Sequence, residues 1–275
     1  MENRKKLRPP LTYYGGKQTL APFIETLIPE HGLYGEPFFG GGAVFFLKPK
    51  SKVEVINDTN SELMNFYRVA KTRFKDLKEL IQQSLISREL HRQAVIIYNN
   101  PNLFDEVRRA WAVWIMCIMG FSSKLEGPFG YDKRDGSQAK RLSLKKEMFT
   151  EELLERLENV QIESADALYV IKSRDHKEAF FYCDPPYIGS NMGHYKGYTE
   201  ADFRSLLETL ASIEGKFLLS SYPSDILTEF IERNGWISMQ KELTVTVNIK
   251  SGNDKKKLEV LTANYPIEEG NGFSN

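Results

Sequence analysis

The apolar run Phe180-Phe181-Tyr182-Cys183 stops abruptly at Asp184-Pro185-Pro186-Tyr187, and this stretch limits the architecture of the chain most tightly. A short, aromatic-rich run ending at breakers reads as a strand buried on both faces, as at the centre of an α/β sheet. Proline has no amide hydrogen to give, so Pro185 and Pro186 end the ladder. Asp184, the neighbouring carbonyls and Tyr187 are thereby presented together at a carboxyl strand end, where open α/β sheets take their ligands.

Such an arrangement suits one chemical task, making an aromatic amine nucleophilic. The exocyclic nitrogen of adenine shares its lone pair with the ring. A carboxylate and a carbonyl aimed at its hydrogens would hold it and stabilise the positive charge that grows as it attacks. A flat Tyr187 could stack on the base. The plainer reading is a strand-ending turn with a surface aspartate, and these four residues alone do not separate the two.

Two glycine-rich stretches precede this motif. Tyr13-Tyr14-Gly15-Gly16-Lys17 combines a close backbone approach with a positive charge, or is simply a turn followed by a surface lysine. Tyr34-Gly35-Glu36-Pro37-Phe38-Phe39-Gly40-Gly41-Gly42 reads as a strand entering a glycine turn, with a helix to follow whose N-terminus would favour an anionic group. The next strand, Val53–Ile56, ends at Asn57-Asp58. An acid about 20 residues past such glycines is where a carboxylate grips ribose hydroxyls. Asp58 could instead only precede a helix capped by Thr59 and Glu62.

Between about Asn60 and Glu158 the pattern becomes helical. Leu63, Phe66, Tyr67 and Ala70 form one stripe and Val107, Ala110, Trp111, Trp114 and Ile118 another, both read as core. After Gly120 the periodicity fails. Lys124, Lys133, Arg134, Lys140, Arg141, Lys145 and Lys146 then interleave with Phe129 and Tyr131. We read a helical insert over 60–158 carrying a basic hairpin or loop at about 120–146, suited to a nucleic-acid groove; an ordinary solvated loop is the alternative. The α/β pattern returns at Val160–Glu163. Asp166 follows, either a ligand to an adenine amine or a helix cap. Residues 188–198, polar and glycine-rich, could form a lid. Extended segments at about 236–249 and 258–265 read as a closing antiparallel hairpin with a basic shoulder at Lys255–Lys257.

Composition bounds the alternatives. A chain of 275 residues with 41% hydrophobic and 12% aromatic content can bury one large core or two modest ones. A formal net charge of +0 argues against non-specific coating of nucleic acid, while leaving room for a local basic face. No apolar segment is long enough to span a membrane, and Met1–Lys6 leads into no signal-peptide stretch. Cys117 and Cys183 read as buried thiols, and the four histidines lack metal-ligand spacing, so neither a disulfide framework nor a metal site is expected. The buried thiols fit a reducing cytoplasm, the expected location for what would be a bacterial or phage-encoded protein.

Together these stretches resemble the Dam-type DNA adenine-N6 methyltransferases. The family pattern of an aromatic followed by Gly-Gly-Lys is matched by Tyr13 and Gly15-Gly16-Lys17, with tyrosine where the best-known members have tryptophan. Its Glu-Pro-Phe with glycines is matched by Glu36–Gly42, its acid after the next strand by Asp58, and its Asp-Pro-Pro-Tyr by Asp184–Tyr187. Its late Leu-x-x-Asn-Tyr is matched by Leu261–Tyr265. Five motifs occur in the family's order, at both ends of the chain; the insert matches in placement only.

The resemblance implies a Rossmann-like class I methyltransferase sheet built from residues 1–59 and 159–275, with 60–158 as a mainly helical target-recognition insert. It implies S-adenosylmethionine as methyl donor, held by Tyr13, Lys17, Phe38, Gly40, Asp58, Asp166 and Asp184, with no metal. Asp184, Pro185, Pro186 and Tyr187 would be catalytic, acting on an adenine flipped from duplex DNA. Lys124, Arg134, Lys140 and Arg141 are the candidate DNA contacts. The expected partner is double-stranded DNA, bound by a monomer, with a cognate restriction endonuclease as a further partner. The rivals are an N4-cytosine or RNA amino methyltransferase, and a catalytically inactive nucleic-acid-binding module on the same fold.

Overall fold

The computed structural model describes residues 7–13, 15–123, 125–187, 197–244 and 256–267. Tyr14, Lys124, most of the lid candidate (188–196), the turn of the closing hairpin with Lys255, and the tail from Glu268 lie outside them.

Seven strands form one sheet: β1 (Leu33–Glu36), β2 (Val53–Asn57), β3 (Val160–Glu163), β4 (Ala179–Cys183), β5 (Lys216–Ser221), β6 (Ile237–Thr244) and β7 (Lys256–Ala263). Their order is β3-β2-β1-β4-β5-β7-β6. The first five run parallel; β7 is antiparallel to both β5 and β6. This is the mixed α/β, Rossmann-like class I arrangement expected from the sequence. The strand order reverses between β1 and β4, and the crevice at such a reversal is where an open α/β sheet binds ligands.

β4 is central and explains its own composition. Phe180 and Tyr182 pack into a core on one face, Phe181 and Cys183 into a core on the other. Side chains alternate along a strand, so a strand covered on both faces is apolar throughout. One face is covered by helices α9 (Ala167–Arg174), α10 (Glu200–Ser212) and α11 (Asp225–Asn234). The start of α10 is fixed by a capping box between Thr199 and Asp202.

The other face carries α1 (Ala21–Leu27), α2 (Ala43–Leu47) and α3 (Ser61–Thr72), and with them the core continues into the insert. Between α3 and β3 lies a helical segment of α4 (Phe74–Gln83), α5 (Arg88–Asn99), α6 (Glu106–Met119), α7 (Ser137–Glu147) and α8 (Glu151–Leu157), which together with α3 fills the 60–158 stretch expected as an insert. α6 is its axis: every residue from Ala112 to Met119 is buried. Trp114 is core, and Trp111 donates its indole N–H to Ser84 Oγ at 2.8 Å. Arg156 of α8 bonds Glu54 of β2 and donates to the Phe45 carbonyl at 2.8 Å, which fastens the end of the insert to the sheet.

Three local expectations change. The cap of α3 is Asn60, whose side chain accepts from the Glu62 and Leu63 amides, not Thr59; Glu62 turns away to pair with Arg109. The helix after the glycine turn, α2, has only five residues, because Pro49 holds Lys48 extended (φ −68, ψ 159). So short a helix offers no appreciable N-terminal dipole to an anion.

The basic segment expected as a hairpin or loop over 120–146 is one only in its first half. A single antiparallel bridge joins Gly120 to Phe129, and α7 takes over from Ser137. Gly136, in the left-handed region (φ 62), opens that helix. The helix was hidden because only Leu142 and Lys145 on it are buried, too few to show a periodicity.

Candidate active site

Among the described residues, carboxyl groups sit at the carboxyl ends of four adjacent strands. Glu36 ends β1, Asp58 follows β2, Asp166 follows β3 and Asp184 follows β4. They come together because parallel strands all present the same end on the same side. Asn57 ties the loops: its amide donates to the Pro37 carbonyl at 3.0 Å and the Ala165 carbonyl at 3.1 Å, and accepts from the Ala165 N–H at 2.9 Å.

The glycine turn is held from below. Asp58 is buried, and each of its oxygens takes a backbone amide, Oδ2 from Gly40 at 3.0 Å and Oδ1 from Asn60 at 2.9 Å. Tyr67 donates to the Gly40 carbonyl at 3.0 Å, so the backbone polar groups of Gly40 are committed within the protein. Asp58 is therefore first a brace of the turn; each oxygen keeps a further lone pair for a ligand hydroxyl. Burial raises its pKa, against the two amide bonds. Gly42 has to be glycine: its φ is +66, and a Cβ there would fall 2.5 Å from Phe39 Cζ. Tyr13 lies over this turn, its ring 3.2 Å from where a Cβ on Gly40 would stand. Phe38, half-buried, packs into the core cluster on the α9–α11 side of the sheet.

Asp184 is the centre of the site. Lys17 Nζ donates to its Oδ1 at 2.7 Å, and the Tyr187 hydroxyl lies 3.1 Å from the same oxygen. No donor among the described residues reaches Oδ2. The pair is largely screened from water, with side-chain exposures of 10% and 19%. Burial raises the Asp184 pKa; Lys17 opposes the rise and Glu259 adds to it. Burial works against the Lys17 charge, but Asp184 and Glu259 outweigh it and hold its pKa above the ordinary lysine value. Glu36, fully buried beneath this group, accepts from the Tyr34 hydroxyl at 2.8 Å, and burial pushes its pKa up to about 8.

Glu259 was not among the residues read from the sequence. It lies on β7, buried, and its Oε1 accepts from the Tyr187 hydroxyl and from Ser220 Oγ (2.7 Å), with Lys17 Nζ at 3.4 Å. The one available signal was a charge inside the apolar run Leu258-Glu259-Val260-Leu261. Tyr187 is correspondingly turned inward. Lys17 Nζ lies 4.7 Å from its ring centroid, and the Tyr222 ring is 4.3 Å away at 59°.

The remaining candidates sort by exposure. Asp166 is exposed and caps α9, accepting the Tyr169 N–H at 2.9 Å. Arg134 and Lys140 are exposed on the insert. Arg141, expected as a DNA contact, instead points inward, donating to the Ile118 carbonyl and to Gln138 Oε1 (2.7 Å). Lys145 is buried and donates to the Pro9 carbonyl at 2.6 Å, stapling the N-terminal segment to α7. Charge composition alone could not separate these braces from the exposed cations. Lys124 lies outside the described residues.

Comparison with known proteins gives three consistent findings. The family described as D12 class N6 adenine-specific DNA methyltransferase matches residues 13–255. The chain is 31% identical over 289 residues to a Type II methyltransferase, M1.LlaDCHI, of Lactococcus lactis subsp. cremoris, covering 96% of this chain and 98% of that one. It is 27% identical over 279 residues to a DNA adenine methylase of Vibrio cholerae, covering 94% and 96% respectively.

Proposed function

This chain belongs to the D12 class N6 adenine-specific DNA methyltransferase family, and on that premise we propose how its residues carry out the transfer. The enzyme methylates the N6 amine of adenine in DNA. One observation carries the residue assignment: Lys17 occupies Oδ1 of Asp184 and leaves Oδ2 facing no protein donor among the described residues.

S-adenosylmethionine supplies an electrophilic methyl on a sulfonium, already a good leaving group. Its ammonium, ribose hydroxyls and adenine amine are all donors, and the sulfonium is a cation. The edge fits such a molecule, because Glu36, Asp58, Asp166 and Asp184 are acceptors at successive strand ends. Tyr13 and Phe38 give it apolar walls, and Gly40, lacking a side chain, lets the Tyr13 ring lie close against the turn. Lys17 acts here through Asp184.

The nucleic acid is taken up by the 60–158 segment, a reading supported by the exposure of Arg134 and Lys140; Lys124 belongs to the same basic stretch of sequence. The target adenine leaves the duplex to reach the edge. Asp184 Oδ2 and the Pro185 carbonyl accept the two N6 hydrogens, Pro186 stiffens the turn, and Tyr187 supplies the ring against which the base rests. With the donor bound there, the N6 lone pair would take the methyl as the C–S bond breaks and its electron pair stays on sulfur. The extra proton then leaves the nitrogen through Asp184 to water. Alignment supplies most of the rate. A cognate restriction endonuclease is the partner to seek, since one relative is named as a Type II methyltransferase.

The test is transfer of label from S-adenosylmethionine to duplex DNA, RNA or no acceptor, followed by base analysis and sequencing of the methylated DNA. N6-methyladenine at a fixed sequence is expected. Label in N4-methylcytosine or in RNA would overturn the reading.

A further inference from the structure

The Asp184 site contains one more acid than its chemistry requires. Lys17 alone would suffice to hold Asp184 Oδ1. Yet Glu259, on β7 two strands over from β4, is buried in the same group and takes three donors on one oxygen: Tyr187, Ser220 and Lys17. A buried carboxylate is costly unless such donors surround it. Nothing in the strand pairing requires one there, because β7 joins β5 and β6 through its backbone.

We propose that Glu259 is a positioning residue for methyl transfer: it fixes the Lys17 ammonium and the Tyr187 hydroxyl on the Oδ1 side of Asp184, and keeps the group net negative. The geometry gives it two effects. Lys17, drawn between Asp184 Oδ1 (2.7 Å) and Glu259 Oε1 (3.4 Å), cannot swing across to Oδ2, which stays open to the amine. The Tyr187 ring is fixed at its hydroxyl end, so its plane is set before a base arrives. Charge follows from the same count. Two carboxyl groups, those of Asp184 and Glu259, face the one Lys17 ammonium. The surplus charge lies where positive charge grows on the attacking nitrogen, which is electrostatic preorganisation. Without Glu259, Lys17 would neutralise Asp184.

The inference rests on Asp184 being the acid that holds the amine. The titratable groups facing Asp184 are Lys17 from the N-terminal segment, Glu36 from β1, Tyr182 and Cys183 from β4, Tyr187 beyond it, and Glu259 from β7. Of these, Lys17 lowers the Asp184 pKa and Glu259 raises it.

The experiment compares wild type, Glu259→Gln, Glu259→Asp and Asp184→Asn by kcat, KM for DNA and the pH profile of kcat. Glu259→Gln is expected to lose about tenfold or more in kcat with little change in KM, and to move the acidic limb to lower pH, because a neighbouring negative charge is gone. A purely structural role would leave that limb in place. Glu259→Asp keeps the charge but withdraws it by one methylene; it is expected to keep the limb and lose kcat, and serves alone should the amide variant not fold. Wild-type kcat in Glu259→Asp, or an unmoved limb in Glu259→Gln, overturns the proposal. Near wild-type turnover in Asp184→Asn would overturn the site reading instead, so the two failures are distinguishable.

Discussion

Lys17 Nζ stands 2.7 Å from Asp184 Oδ1, joining two residues 167 positions apart in the chain. The contact closes the N-terminal Gly-Gly-Lys segment onto the end of the central strand. It also decides which oxygen of Asp184 a substrate can use. In a group this little exposed, such a pair acts more by geometry than by net stabilisation.

Asp184→Ala is expected to lower transfer by about 10²–10³-fold or more while leaving the protein folded. Lys17 would keep Glu259 as a partner at 3.4 Å, so no buried ammonium is orphaned. Labelled-methyl incorporation and a thermal melt check both halves. Turnover near wild type would mean a different acid holds the amine. In the wild type, transfer should fail on acidification at a pH above that expected for an ordinary aspartate of pKa 3.8, since burial raises the Asp184 value.

Glu36 makes stability depend on pH. Its carboxyl titrates at about 8 in place of 4.5, chiefly through burial, with the Tyr34 hydrogen bond opposing and Asp184 adding. Its contribution is therefore full below pH 4.5 and is lost as pH rises through about 8. The whole interval corresponds to about 5 kcal/mol, as an order of magnitude. Glu36→Gln should raise Tm at pH 8 and match wild type in acid. The same change should weaken S-adenosylmethionine binding, which calorimetry would detect. Equal pH slopes for the two proteins would show that Glu36 does not titrate as described.

Gly42→Ala should destabilise the fold by about 2 kcal/mol, lowering Tm by about 4–8 °C. The substitution combines a left-handed φ of +66 with a Cβ 2.5 Å from Phe39 Cζ. The ring is itself enclosed by Phe45 and Tyr67, with centroids at 5.4 and 4.8 Å, and has little room to yield. An unchanged melt would show that the turn relaxes.

The insert cations should divide by exposure. Replacing Arg134 and Lys140 with alanine should weaken DNA binding and reduce the salt-dependence slope by about 2, with Tm unchanged. Arg141→Ala should instead cost about 1–3 kcal/mol of stability, because it leaves the Ile118 carbonyl without its donor. Titrations at several salt concentrations, with melts of each variant, check this. Equal salt slopes for all three proteins would count against the insert as the DNA-contacting surface.

Strands β2 to β5 were legible from the sequence as short runs rich in apolar residues and ended by a breaker, whereas β6 carries Gln240, Lys241 and Glu242 at its centre. The expected runs at 160–163 and 216–221 coincide with β3 and β5, and the run ending at Cys183 with β4. The five-motif order was legible too, since each motif is local: a turn, a strand end, a cap. α7 was not, because a helix that buries only Leu142 and Lys145 carries almost no periodic signal.

By itself the sequence determined the sheet, the order of its motifs, the family and the acid at the head of Asp-Pro-Pro-Tyr. These depend on neighbours along the chain, which backbone chemistry constrains directly. Only the tertiary structure decided that Glu259 shares Lys17 with Asp184, that Asp58 braces the glycine turn, and that Arg141 and Lys145 are struts. Each of those roles is fixed by a partner distant in sequence, and a charged residue looks the same in a sequence whether its partner is water, a backbone carbonyl or a buried acid.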